Sequence, residues 1–108
     1  PHLVILEETA EAPIWAWTAA QAMTMTTNAD NTSIISLDFP QGDSHYVIIN
    51  GVEPFKTIEI YELSFRTDHR FETYNSSGYV YDSKTNTLFL KYRHKSGTEI
   101  VKLYRTTN

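Results

Sequence analysis

A chain of 108 residues with 41% apolar and 20% charged side chains amounts to one globular domain, long enough for a single core but not for a cleft between lobes. The net charge is −4 and the basic residues are scattered singly, which excludes the clustered Lys and Arg that a nucleic-acid partner requires. There is no cysteine for a disulfide, thiolate metal site or Cys nucleophile, and no apolar stretch approaches the roughly 18 residues of a membrane span, so no membrane insertion is expected.

Threonine is the commonest residue, and the β-branched and aromatic content suits a pleated, half-buried surface better than a helix. Short runs with strand character recur at Leu3–Glu7, Ala22–Thr26, Ser33–Phe39, His45–Asn50, Thr57–Tyr61, Tyr79–Asp82, Thr87–Arg93 and Glu99–Arg105. Turn formers separate them, among them Asn28-Ala29-Asp30-Asn31, Pro40-Gln41-Gly42-Asp43, Asn50-Gly51, Asp82–Asn86 and Lys95-Ser96-Gly97. Thr9–Ala22 has some helical composition, but Pro13 leaves room for only a turn or two. Trp15 and Trp17 stand at strand spacing, so a loop and then a short strand or turn around Ile14–Trp17 is expected. In the closing strand Val101 and Leu103 share the core face, and Ile100, Lys102 and Tyr104 share the other. The pattern predicts one all-β domain over residues 1–108: an antiparallel sandwich of about eight short strands, immunoglobulin-like or jelly-roll-like. The chain begins at Pro1, which reads as a module of something longer.

Chemistry-bearing motifs are sparse. His2, His45, His69 and His94 show no ligand spacing, so no metal is expected and all four read as exposed polar side chains. Glu7-Glu8, and Glu53 with Glu59 or Glu62, have no cleft in so short a chain to raise one carboxyl's pKa. There is neither a Gly-x-Ser-x-Gly elbow nor a Gly-rich phosphate loop. An enzyme is not expected. No cofactor is expected either; Asp30, Asp38 and Asp43 leave a structural calcium open, although their spacing fits no calcium loop.

The aromatics are the better lead. Trp15 and Trp17 share one face of an extended segment, as do Tyr79 and Tyr81 of theirs, and planar rings of this kind stack on sugar C–H faces. The bland alternative is that they pack the core with a polar tip reaching out.

The cadence His45-Tyr46-Val47-Ile48-Ile49-Asn50-Gly51-Val52-Glu53-Pro54 followed by Phe55–Tyr61, then Tyr81-Asp82-x-x-Thr85-x-Thr87-Leu88-Phe89-Leu90-Lys91 and Glu99–Tyr104, resembles the distal C-terminal β-sandwich of bacterial glycoside hydrolases, most nearly family 31. The resemblance covers residues 33–105. It departs at the longer insertion Glu62–Gly78 and does not extend to the N-terminal third. It implies a non-catalytic accessory module, secreted or at the cell surface, that supports a neighbouring catalytic domain or binds polysaccharide or oligosaccharide weakly. The catalytic carboxylates of that family lie on another domain, so no catalytic residue carries over. The carbohydrate contacts singled out by residue type are Trp15, Trp17, Tyr79 and Tyr81, with Arg66 and Asp68 as polar partners. The competing expectation is an adhesin-type or interaction sandwich with a protein partner.

Overall fold

The computed structural model describes residues 1–7, 13–61, 63–65 and 77–105, which form ten strands and no helix. Two five-stranded antiparallel sheets stack into a sandwich. In sheet order, the first contains β1 (His2–Glu7), β2 (Ile14–Thr18), β5 (Ser44–Asn50), β9 (Thr87–Arg93) and β8 (Gly78–Asp82). The second runs β3 (Ala22–Thr27), β4 (Ser33–Asp38), β10 (Thr98–Tyr104), β6 (Thr57–Ile60) and β7 (Leu63–Phe65).

The antiparallel sandwich is the fold the composition and turns predict, with two strands more than the eight runs. Of the short strand or turn expected around Ile14–Trp17, the structure has the strand, Ile14–Thr18, paired between β1 and β5. Its small Ala16 is completely buried, so the alanine that suggested a helix is there to let the opposite sheet approach. β7 was missed because the β6–β7 turn carries Tyr61 in the left-handed region, at φ 58°, where a glycine or asparagine would have signalled it.

The expected turns are built as their residues dictate. Asn31 and Asn86 take φ 65° and 54°, and Asp82 Oδ1 accepts the Lys84 N–H at 2.9 Å as an Asx-turn requires. Gly51 sits at φ 94°, and a Cβ there would lie 2.9 Å from the Pro13 carbonyl oxygen.

The core lies between the inner faces. From the first sheet Val4, Ala16, Ile49, Leu88 and Tyr81 stand in one cross-strand row, with Thr18, Val47, Leu90 and Tyr79 in the next. From the second come Met25, Ile35, Val101 and Ile60 in one row and Leu103 paired with Ile58 in another. Val101 and Leu103 are fully buried, as their alternation predicts. One end of the sandwich is laced shut between the β4–β5 and β9–β10 loops: Gly42 N–H donates to the His94 carbonyl at 2.7 Å, His94 N–H to Asp43 at 3.0 Å, and Phe39 N–H to Gly97 at 3.0 Å.

Candidate functional site

The pleat of the first sheet separates the aromatic candidates into two sets. On β2, Ala16 and Thr18 point inward and are buried, so Trp15 and Trp17 point outward; Trp17 is 46% exposed. Tyr79 and Tyr81 pair with the buried Leu90 and Leu88 and therefore face the core. Both pack with Phe55, at ring-centroid distances of 6.0 and 4.9 Å. The Tyr81 hydroxyl donates to the Val52 carbonyl at 2.5 Å, and burial pushes both phenols up from their ordinary value. The two tyrosines thus lie on the opposite side of the sheet from the tryptophans and share no surface with them. Their large rings at an edge strand close the side of the core. Arg66 and Asp68 lie outside the described residues.

What joins the tryptophans is a set of residues that sequence reasoning did not single out. Leu3, Trp17, Ile48, Phe89 and Val80 are direct cross-strand partners and form an unbroken outward row over all five strands of the first sheet. The neighbouring row reads Ile5, Trp15, Asn50, Thr87 and Asp82. Tyr46 extends the face on the other side beside Lys91, whose ammonium stands 5.6 Å from the Tyr46 ring centre. Five of these side chains, Leu3, Ile5, Trp17, Tyr46 and Phe89, are between 36% and 56% exposed, a concentration of apolar surface that marks interaction sites. The polar end of the face is tied internally, since Asn50 Nδ2 donates to Thr87 Oγ1 at 3.2 Å.

The second sheet gives the contrast. Its outward rows read Thr24, Ser36 and Ile100, then Thr26, Ile34, Lys102 and Glu59. Glu59 Oε1 also accepts the Tyr104 hydroxyl at 2.8 Å. The second sheet's outer face is mostly polar, with Ile34 and the exposed Ile100 set among threonine, serine, lysine and glutamate, whereas the first sheet's is largely apolar.

A second cluster corrects the expectation that the histidines are exposed. His45 and His94 are 4% and 1% exposed, and their Nε2 atoms meet at 2.9 Å across the laced end of the sandwich. His94 Nδ1 lies 3.2 Å from the Ser96 carbonyl and so carries its proton there; its Nε2 then accepts from His45 Nε2–H. That leaves His45 Nδ1 a bare, buried lone pair without a partner. Burial first, and the neighbouring His94 second, lower the His45 pKa from 6.5 to about 4. Phe39 stacks on His45 at 4.2 Å, and Tyr92 lies 5.2 Å from His94. No spacing rule could have paired two residues 49 apart in sequence.

The two rings clasp β5 to the end of β9, and among the described residues no three His, Asp or Glu side chains stand close enough together to hold an ion. The acidic trio considered for calcium is not assembled. Asp30 lies in the turn before β4, with Oδ1 accepting the Thr32 N–H at 3.1 Å. Asp38 ends the same strand, with Oδ1 accepting the Thr98 hydroxyl at 2.7 Å, so six residues of extended chain separate the two sites. Compared with protein-family models, curated proteins and solved structures, the chain matches none.

Proposed function

We propose that this chain is a non-catalytic accessory module that binds polysaccharide weakly across the outer face of its first sheet. The observation that carries the reading is the set of four outward rings, Trp15, Trp17, Tyr46 and Phe89, spread over the adjacent strands β2, β5 and β9 of one sheet face. A glycan lying flat on this face covers its sugar C–H faces with aromatic and aliphatic side chains, while Asp82 and Arg93 at the rim supply groups for hydroxyls. By analogy with bases stacked on aromatics, each ring contributes about 1–3 kcal/mol. Two or three such contacts, less the cost of ordering the polymer, leave a Kd of roughly 10⁻³–10⁻⁵ M. The family 31 resemblance agrees with a secreted or cell-surface setting beside a catalytic domain.

A second reading, a protein partner or a neighbouring domain on the same face, is favoured by the aliphatic residues Leu3, Ile5, Ile48 and Val80 that interleave the rings. Affinity electrophoresis against a panel of soluble plant and microbial polysaccharides separates the two. Carbohydrate binding predicts retardation by at least one glycan class, lost in Trp17→Ala and Phe89→Ala and kept in Tyr79→Phe. Absence of retardation throughout the panel overturns it and leaves the protein partner.

A further inference from the structure

Among the described residues the four sheet edges are β1, β8, β3 and β7, and they are protected unequally. β7 is three residues long, β8 starts at a glycine and ends on Asp82, and β3 (Ala-Met-Thr-Met-Thr-Thr) shows a threonine-rich outer face. β1 reads His-Leu-Val-Ile-Leu-Glu: six residues with four successive apolar side chains and neither lysine nor proline. Those are the usual devices that keep an edge from pairing with another chain. Its only irregularity is the register shift between Ile5 and Glu7 at the far end, which leaves His2–Ile5 regular. Leu3 and Ile5 are 56% and 54% exposed, the most exposed large apolar residues of the described chain.

We propose that two copies of this chain pair through β1, edge to edge and antiparallel, to form a closed dimer with a continuous ten-stranded sheet. The strand is self-complementary. A two-fold axis at Val4 sets Leu3 against Ile5 of the second copy and Ile5 against Leu3, so four exposed apolar side chains meet along the seam on the outer face. Within the regular part of the strand the seam consists of Leu3–Ile5, Val4–Val4 and Ile5–Leu3, so no charged side chains are opposed. Because both copies use the same edge, the contact is isologous and stops at two, with no second β1 left over to extend a fibre. The consequence goes beyond ligand binding by one face. The row that ends at Leu3 in one copy continues into the second copy's sheet, which doubles the apolar face and gives a weakly binding module two linked sites.

Sedimentation velocity and equilibrium on the chain from about 1 μM to 1 mM test this. A reversible monomer–dimer equilibrium is expected. The double variant Leu3→Lys/Ile5→Lys replaces both apolar pairs at the seam by opposed lysines and raises the dimer dissociation constant by about a hundredfold. Phe89→Lys changes the same outer face three strands from the seam, and it leaves the dimer intact. Concentration-dependent hydrogen-exchange protection of β1 amides, with β8 amides unchanged, places the contact at the edge. Circular dichroism of the double variant shows that its monomer is folded. A monomer at every concentration, open-ended aggregation, or a dimer weakened equally by Phe89→Lys each overturns the proposal.

Discussion

The buried His45–His94 pair makes the stability of this sandwich fall in mild acid, as pH drops from 6.5 towards 4. The folded protein holds His45 at about 4, whereas the unfolded chain gives it the ordinary 6.5. A second proton on the ring would have to sit on Nδ1, which is buried without an acceptor, and would charge a ring in contact with His94. The native state therefore binds this proton less readily than the unfolded state. The stabilisation is complete above pH 6.5, declines as pH falls towards 4, and is exhausted below that. The difference between 6.5 and about 4 corresponds to about 3 kcal/mol at most, more than half of it already gone at pH 5. For a domain whose total stability is typically about 5–15 kcal/mol, that is a large share. Urea unfolding followed by circular dichroism at half-unit steps from pH 7.5 to 4 measures the slope. His45→Gln keeps a donor towards His94 but cannot take up the proton. Its profile is lower at pH 7 because stacking on Phe39 is lost, and it is flatter between pH 6.5 and 4.5 by close to one proton. Parallel profiles for the two proteins would refute the assignment of this proton to His45.

Other substitutions test the packing and the division of the two faces. Leu103→Ala empties a fully buried position facing Ile58 and lowers stability by about 2–5 kcal/mol in urea unfolding, whereas Leu3→Ala, on the exposed edge, changes it by less than about 0.5 kcal/mol. Gly51→Ala forces a side chain into the left-handed region and against the Pro13 carbonyl; a loss of about 2 kcal/mol is expected, a fall in Tm on the order of 10 °C. Tyr81→Phe leaves the ring in place but strands the Val52 carbonyl, at a cost of about 1–2 kcal/mol, without altering retardation by any glycan that the wild type binds.

The sandwich was legible because most turns carry their chemistry in the open. Asn31, Gly42, Gly51 and Asn86 all take the positive φ that their residue types permit at low cost. Where the chain uses Tyr61 for the same conformation, the turn and the strand after it were invisible. That conformation is held by long-range contacts instead: the Tyr61 hydroxyl donates to the Arg93 carbonyl, its ring meets Tyr92 edge-on at 5.0 Å, and the Lys95 ammonium lies 4.1 Å from the ring centre. The histidine clasp failed to show for the same reason, since neither partner has a local signal. Trp15 and Trp17 mark one half of the outer face in the sequence, and runs of unbroken apolar residues mark the other. Leu3-Val4-Ile5-Leu6, Tyr46-Val47-Ile48-Ile49 and Leu88-Phe89-Leu90 are apolar at every position, whereas Ala22–Thr27 and Thr57–Ile60 alternate.

That difference bears directly on function. A two-sheet core needs apolar residues at alternate positions only, and the second sheet meets the requirement while its outer face is mostly threonine, serine, lysine and glutamate, with Ile34 and Ile100 the exceptions. The first sheet fills its inward positions equally well with Ala16, Val47, Ile49, Leu88 and Leu90. Trp15, Trp17, Ile48 and Phe89 are therefore surplus to the interior. Apolar burial stabilises only through area removed from water, and an outward side chain that stays half exposed gains little from it while adding a hazard of association. A continuous apolar strand is the pattern of a sheet covered on both faces. Replacing the outward row by threonines and serines like those of the second sheet is expected to leave the sandwich folded, and with it any binding that depends on the row would be lost.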